Sequence, residues 1–220
     1  MENFIKYITR NYEIIIKELL NHLSIIGIAL PFAVIIGVSV GIIIAGKPKI
    51  SKIIIYISGM FMTIPSPALF GIMIILLAPF NAGLGKPPAV IALIIYSLLP
   101  MIRNTVNAVN SLDHNIIEAA EGMGMKNYQI LIKIRIPLAL PLIMSGIRSS
   151  VVMGVGVATI GYYIAAGGLG YFIFAGLSRS RFEMILTGVI LTAALGIFLN
   201  YFILKLEDII TPKGLKISGE

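Results

Sequence analysis

The chain has 220 residues, of which 58% are hydrophobic and 12% charged, and its mean hydropathy is +0.98. This balance is far more apolar than that of a soluble domain of similar length, so it excludes water as the main solvent of the chain. The net charge of +7 does not indicate nucleic-acid binding, because the basic residues lie between apolar runs rather than along one basic face. The lack of cysteine excludes a disulfide scaffold and thiolate metal sites.

The chain begins with a segment that differs from the apolar runs after it. Residues 3–20 mix apolar with charged positions, which is typical of a helix lying at a membrane interface. We therefore predict an N-terminal interfacial segment over residues 1–20 and a first transmembrane span over about 22–46. Small residues recur in this span at four-residue intervals: Ala29, Ala33, Gly37, Gly41 and Ala45. Because small residues allow helices to approach closely within a membrane, this stripe predicts a contact with another helix.

The second predicted span, residues 53–78, contains two prolines. Pro65 and Pro67 predict a kink or a break near its middle. Backbone groups freed by such a break are tolerated only beside protein or a watery cavity. Turn residues over 79–88 separate this span from a third, predicted over 89–110.

Residues 111–137 form the longest polar loop, and two further spans follow it. The fourth is predicted over about 140–165, with a second small-residue stripe, and GGLG at 167–170 should end it. We assign residues 171–182 no span and consider a re-entrant segment. The fifth span is predicted over 183–205. The members of the second stripe are Gly146, Ser150, Gly154 and Ala158.

These elements predict an all-α, polytopic membrane protein with about five transmembrane helices. The expected organisation is an N-terminal segment over 1–20, a transmembrane domain over 21–205 that includes the loop at 111–137, and a cytoplasmic tail over 206–220. Cytoplasmic loops carry an excess of Lys and Arg. With five spans, ten basic residues lie on the side of the long loop, which predicts that this loop and the C-terminus are cytoplasmic. The ten are Lys47, Lys49, Lys52, Arg103, Lys126, Lys133, Arg135, Lys205, Lys213 and Lys216.

The long loop carries a motif, EAAEGMGMKNYQILIKIRIP, over residues 118–137. It resembles the EAA loop of the permease subunits of binding-protein-dependent ABC importers. The matching positions are Glu118, Ala119, Ala120, Gly124, Ile134 and Pro137, and Ile136 replaces the usual leucine. The resemblance implies that the loop couples the permease to an ATPase. We expect a short helix there, capped by Asp113 or Ser111 and ended by Gly122 and Gly124. Ala119 and Ala120 should allow close approach to the partner. Pro137 should start the next helix.

The resemblance extends over most of the chain from about residue 20. The segments TIPSPALFG, AVIALIIYSLLPMIRNT, LALPLIMSGIR and AAGGLGYFIFAGL are similar to those of permeases for glycine betaine, carnitine, choline and related osmoprotectants. This similarity implies several partners: cytoplasmic ABC ATPase subunits, a second permease subunit in a homodimer or heterodimer, and an extracytoplasmic solute-binding protein. It implies no catalytic residue, metal or cofactor in this chain. A permease for methionine or another small solute is the alternative, since the EAA loop is common to several substrate classes.

Several polar or aromatic residues within the spans are candidates for a translocation path. They are Thr63, Pro65, Ser66, Asn104, Arg148, Thr159 and Tyr162. Tyr162 and Tyr163 stand where small residues are usual in the family, and each ring can attract a quaternary ammonium by roughly 0.5–2 kcal/mol. The alternative for both tyrosines is packing against helices, and that for Arg148 is snorkelling to the headgroups. An ion-driven carrier or an intramembrane enzyme is less consistent with the sequence, because the spans lack buried acids and metal-ligand spacings.

Overall fold

In the computed structural model, which describes residues 2–211, the chain folds into ten α-helices, and those residues include no strand. The all-α fold is confirmed. Met1 and most of the predicted C-terminal tail, residues 212–220, lie outside the described residues. The helices are α1 (Glu2–Arg10), α2 (Tyr12–Ile44), α3 (Pro48–Thr63), α4 (Ser66–Leu77), α5 (Lys86–Asn110), α6 (His114–Gly122), α7 (Asn127–Ile130), α8 (Ile136–Ala158), α9 (Gly170–Ser178) and α10 (Phe182–Ile210).

Four helical segments within the described residues are long and apolar enough to cross a membrane. They are α2, α5, α10 and the continuous segment Asn127–Ile164, which includes α8. If α3 and α4 are counted as one broken span, they supply a fifth, because together they are long and apolar enough to cross a membrane. The prediction of about five spans is therefore consistent with the structure.

Helix α5 lies at the centre of the bundle, between α2 and α8. The two small-residue stripes explain this arrangement. On α2, a Cβ added at Gly41 would lie 2.5 Å from the Cβ of Thr105, and on α8 a Cβ added at Gly146 would lie 2.7 Å from that of Asn104. Such distances leave room only for glycine, so both predicted stripes are helix-packing faces.

The predicted break in the second span is confirmed. The axes of α3 and α4 differ by 98° across Ile64 and Pro65. The Tyr96 hydroxyl of α5 donates a hydrogen bond to the carbonyl of Ile64. This bond satisfies a backbone group that the break would otherwise leave without a helical partner.

The N-terminal boundary differs from the prediction. The helix break lies at Asn11, well before residue 20, and α2 continues from Tyr12 for 33 residues. At 1.5 Å per residue its length is about 50 Å, which exceeds the roughly 30 Å of a bilayer core. Charged residues such as Glu18 predicted an interfacial segment, whereas Glu18 is buried against a distant loop.

The two ends of the bundle are distinguished by their loops. At one end, here called the loop end, the Gly46 N–H donates to Asn110 Oδ1 at 2.9 Å, next to α6. At the opposite end, here called the far end, the Gly85 N–H donates to the Ile164 carbonyl at 2.7 Å. The helical segment of the fourth span ends there at Ile164, just before GGLG, and Ala165 adopts φ +58°. Residues 170–178, part of the segment left without a span, form α9, which packs on α10.

Candidate functional site

Helix α6 contains the EAA sequence, and its two ends are fixed as the sequence predicts. Of the two predicted caps, Asp113 is the one used, because its Oδ1 accepts the Asn115 N–H at 2.9 Å. Ser111 Oγ instead donates to the Ala108 carbonyl at 3.1 Å. The helix ends at Gly122, and Gly124 adopts φ +79°, a conformation that glycine reaches without strain.

A small apolar core holds the loop together from inside. Ile117, Ala120 and Ile130 are buried there, and Met125 and Ile134 pack against them. Ala120 is 2% exposed and packs inside its own loop, and its role in the approach of a partner stays a prediction. Ala119, by contrast, is exposed.

The segment after this core runs without interruption into α8. The Ile136 N–H bonds to the Leu131 carbonyl five residues back, which makes Leu131–Arg135 a π-helical turn. Because a proline ring clashes with a regular helical turn before it, the wider turn accommodates Pro137. Pro137 thus lies in the first turn of α8, as predicted, but the helical segment itself begins at Asn127.

Four large apolar side chains of this region are left uncovered. They form what we call the coupling face: Ile116, Met123, Tyr128 and Ile132. Ile116 lies on α6 and Met123 directly follows that helix, while Ile132 follows Tyr128 by four positions, the spacing of residues on one helix face. Next to them, Glu118 is exposed and its Oε1 lies 3.3 Å from His114 Nε2. The loop therefore presents exposed apolar side chains together with the exposed carboxylates of Glu118 and Glu121.

A second feature lies at the far end, in a groove of about 480 Å³ that we call the tyrosine groove. Its lining residues are Glu18, Tyr162, Tyr163, Ala165, Gly167 and Tyr171. The ring of Tyr162 is central: its centroid lies 5.5 Å from that of Tyr163 and 6.1 Å from that of Tyr171, at interplanar angles of 67° and 59°. Phe174 stacks against Tyr162 at 6.0 Å and thus supports the ring.

Two polar side chains of α2 hold the GGLG loop beside this groove. Glu18 Oε2 accepts the Gly168 N–H at 2.6 Å. His22 Nδ1 accepts the Leu169 N–H at 3.2 Å, while His22 Nε2 lies 3.1 Å from the Val155 carbonyl. Since a carbonyl can only accept, the proton is on Nε2 and the imidazole is neutral. The loop is thereby tied to α2 and to the end of α8.

The family described as binding-protein-dependent transport system inner membrane component matches residues 33–214. The chain belongs to this family. The resemblance found in the EAA loop is thereby confirmed, and the chain is a transport component rather than an enzyme.

Curated relatives match this transport component over nearly its whole length. Osmoprotectant import permease protein OsmW of Salmonella typhimurium is 39% identical, covering 96% of this chain and 99% of the relative. Carnitine transport permease protein OpuCB of Listeria monocytogenes is 37% identical, covering 100% and 99%. Choline transport system permease protein OpuBB of Bacillus subtilis is 33% identical, covering 98% and 97%.

A solved structure shares the fold of this transport component. An inward-facing conformation of the MetNI methionine ABC transporter superposes with a TM-score of 0.82, covering 92% of this chain and 99% of that chain. The sequence identity is 21%, so the match establishes the architecture alone.

The predicted path residues of this transport component do not form one cluster. Thr63, Pro65 and Ser66 lie together at the helix break, where Thr63 lines a cavity of about 520 Å³ that also contains Arg103. Asn104 packs on Gly146, away from the break. Thr159 is buried and donates to its own helix at the Gly156 carbonyl, and Tyr162 lies in the tyrosine groove.

Arg148 has a partner that the sequence did not indicate. Its Nη1 lies 3.7 Å from Glu207 Oε2, and both side chains are largely buried. This ion pair joins α8 to α10 and differs from both earlier interpretations, a path-lining cation and a snorkelling side chain. A charge buried among apolar helices is expected to be paired in this way.

Sequence reasoning missed three residues that fix the geometry of the bundle. Tyr96 bonds to the broken helix, and Glu18 and His22 hold the GGLG loop. His22 is fully buried. The spacing of Glu18 and His22 by four residues was the available signal, because it places two polar groups on one face of α2.

Proposed function

We propose that this chain is the membrane permease subunit of an ATP-driven importer for quaternary ammonium osmoprotectants such as glycine betaine, carnitine and choline. The observation that carries the proposal is the near-complete coverage by relatives named for osmoprotectant, carnitine and choline transport, at 31–39% identity. The resemblance to a methionine transporter extends only to the fold. It therefore supports the architecture and does not favour methionine as the substrate.

In this proposal the coupling face is where a separate ATPase subunit binds. Four exposed apolar side chains on a rigid loop are costly in water and are typical of a protein contact surface. The internal core of Ile117, Ala120 and Ile130 makes the loop stiff enough to transmit a displacement to α8, since the loop continues into that helix. The proposed coupling roles follow from positions in the loop and at the start of α8, and they belong to Glu118, Ala119, Gly124, Ile134 and Pro137. Ala120 contributes by packing in the small core of the loop.

The proposal also assigns the two sides of the membrane, the second permease subunit and the pathway. The loop end is cytoplasmic and the far end is extracytoplasmic, where a solute-binding protein delivers its ligand. Two permease subunits, identical or different, enclose the pathway, with residues at the break and in the tyrosine groove along it. No residue of this chain takes part in ATP hydrolysis.

The coupling assignment is tested by adding one carboxylate to the coupling face. Met123 is 75% exposed and makes no contribution to the small core, so Met123→Glu leaves the fold intact but places a charge in the contact. We expect loss of ATP-dependent choline uptake in proteoliposomes and loss of co-purification with the ATPase. Gln129→Glu is the matched control, because it adds the same charge and retains the acceptor that bonds the Lys126 N–H at 2.8 Å.

Two outcomes decide the assignment. Loss of uptake in Met123→Glu alone supports it, whereas full uptake in Met123→Glu rejects the coupling face as the ATPase contact. Deletion of residues 118–124 is a coarser version of the same test, and it should abolish uptake while leaving membrane insertion intact.

The proposed orientation can be tested by cysteine labelling, because the chain contains no cysteine of its own. Single cysteines introduced by Leu84→Cys and Met123→Cys lie at exposed positions at the far end and the loop end. A membrane-impermeant thiol reagent should label Leu84→Cys in intact cells and Met123→Cys only after permeabilisation. The reverse pattern would overturn the orientation and with it the coupling mechanism.

A further inference from the structure

We propose that the tyrosine groove is a binding subsite for a quaternary ammonium cation, located in the permease itself. This inference rests on the proposed function and deepens it, since it names the residues of this chain that would recognise the headgroup. A trimethylammonium group has no N–H to donate, so a site can attract it only with negative charge and with the faces of aromatic rings. The groove offers both.

Three tyrosine rings come together in the groove. Tyr163 and Tyr171 are each steeply inclined to Tyr162, with centroid distances of 5.5 and 6.1 Å. Tyr163 is 64% exposed, so its face remains accessible to a solute.

The charge in the groove has the required sign. Glu18 is its one charged lining residue among those described, and no Lys or Arg lines it. Both hydrogen bonds recorded for the Glu18 carboxylate, from the Gly168 N–H at 2.6 Å and from Asn21 Nδ2 at 3.4 Å, fall on Oε2. The second oxygen therefore has capacity left to attract a cation, and the carboxylate is held in place for that purpose.

The backbone of the GGLG loop packs closely against the carboxylate. Gly167 lines the groove at φ +74°, and a Cβ there would lie 2.8 Å from Glu18 Oε2. Any side chain at this position would press on the carboxylate and occupy part of the groove. The position of the groove, at the end of the bundle opposite the coupling face, is where a solute released outside the membrane would first meet the permease.

The test uses the assembled permease and ATPase in lipid nanodiscs, without the solute-binding protein. Saturation-transfer NMR detects contact of choline methyl protons with the protein, and 3,3-dimethylbutan-1-ol, which has the same shape without the charge, is the control ligand. The variants are Tyr162→Leu, Tyr163→Leu and Glu18→Gln; glutamine retains an acceptor for the Gly168 N–H. Tyr201→Leu, at a tyrosine on α10 that is 58% exposed, is the matched control.

We expect choline to bind the wild type and the neutral analogue to bind much more weakly. Each ring removed should weaken choline binding by roughly 2- to 30-fold, and Tyr162→Phe, which retains the ring, should bind nearly as well as the wild type. Since Tyr163 is mostly exposed, Tyr163→Leu gives a result even if Tyr162→Leu does not fold. Equal binding of choline and its analogue, or unchanged binding in Tyr163→Leu and Glu18→Gln, overturns the subsite.

ATP-driven uptake measured on the same preparations with the solute-binding protein present separates the two proposals. If the wild type takes up choline but the groove variants bind it normally, the subsite is wrong and the proposed function remains. If the wild type takes up no quaternary amine, the proposed function is wrong, whatever the binding result.

Discussion

The contact between α2 and α5 makes a quantitative prediction about Gly41. In Gly41→Ala, the new Cβ would lie 2.5 Å from Thr105 Cβ and 2.7 Å from Thr105 Cγ2. Carbon atoms in contact prefer about 3.5–4.0 Å, so the two helices must separate by roughly 1 Å. Overpacking of this kind typically costs about 1–3 kcal/mol.

The same helix contains a matched control, Gly27. This glycine is exposed, and a Cβ added to it would meet nothing within 4 Å. Both substitutions gain the same helix propensity, about 1 kcal/mol from glycine to alanine. The difference between the two variants therefore isolates the steric cost, and we expect Gly41→Ala to be less stable than Gly27→Ala by about 1–3 kcal/mol.

Equilibrium unfolding of the purified chain in mixed micelles with a denaturing detergent measures this difference. The double variant Gly41→Ala with Thr105→Gly removes the side chain on α5 that the new methyl group would meet. Its free energy of unfolding should be higher by at least about 1 kcal/mol than the sum of the two single changes predicts. The Thr105 hydroxyl has no hydrogen-bond partner in the described structure, so its removal breaks no bond. Equal stability of Gly41→Ala and Gly27→Ala would refute the close contact of α2 and α5.

Three further predictions concern single interactions. Tyr96→Phe should destabilise the chain by about 1–3 kcal/mol in the same unfolding assay, because it leaves the Ile64 carbonyl without its partner, and an unchanged midpoint would contradict this bond. Arg148→Met should cost more stability than Arg148→Met combined with Glu207→Met, since the single change leaves one buried charge unpaired; a double variant no better than the single would argue against the pair. Asp113→Ala should lower the stability of α6 by about 1 kcal/mol, seen as faster amide exchange there, whereas Asp113→Asn should retain the cap.

Much of the fold could be predicted because a membrane allows only a few arrangements of apolar and polar residues along a spanning helix. Long apolar runs located the spans, and Pro65 and Pro67 located the break, since proline removes a helical hydrogen bond wherever it stands. The ends of α6 were predictable for the same local reason: Asp113 and Gly124 act on backbone groups within a few residues.

What could not be predicted depends on partners far apart in the sequence. Glu18 was interpreted as an interface charge because its partner, Gly168, lies 150 positions away. Arg148 had no visible counter-ion for the same reason, although Glu207 lies near the predicted end of the fifth span. A motif also does not say which side of a short helix faces its own loop, and Ala120 lies on the inside.

The long-range bonds of Glu18 and His22 constrain the order of assembly in the membrane. A ribosome completes α2 long before it reaches Gly168 and Leu169, so for most of translation the carboxylate and the imidazole have no loop to bind. Since a carboxylate buried without a partner is costly in a membrane, we expect the first turns of α2 to pack in their final position only after the GGLG loop has been made. Helix α2 is thus among the first helices to be synthesised and among the last to reach its final packing.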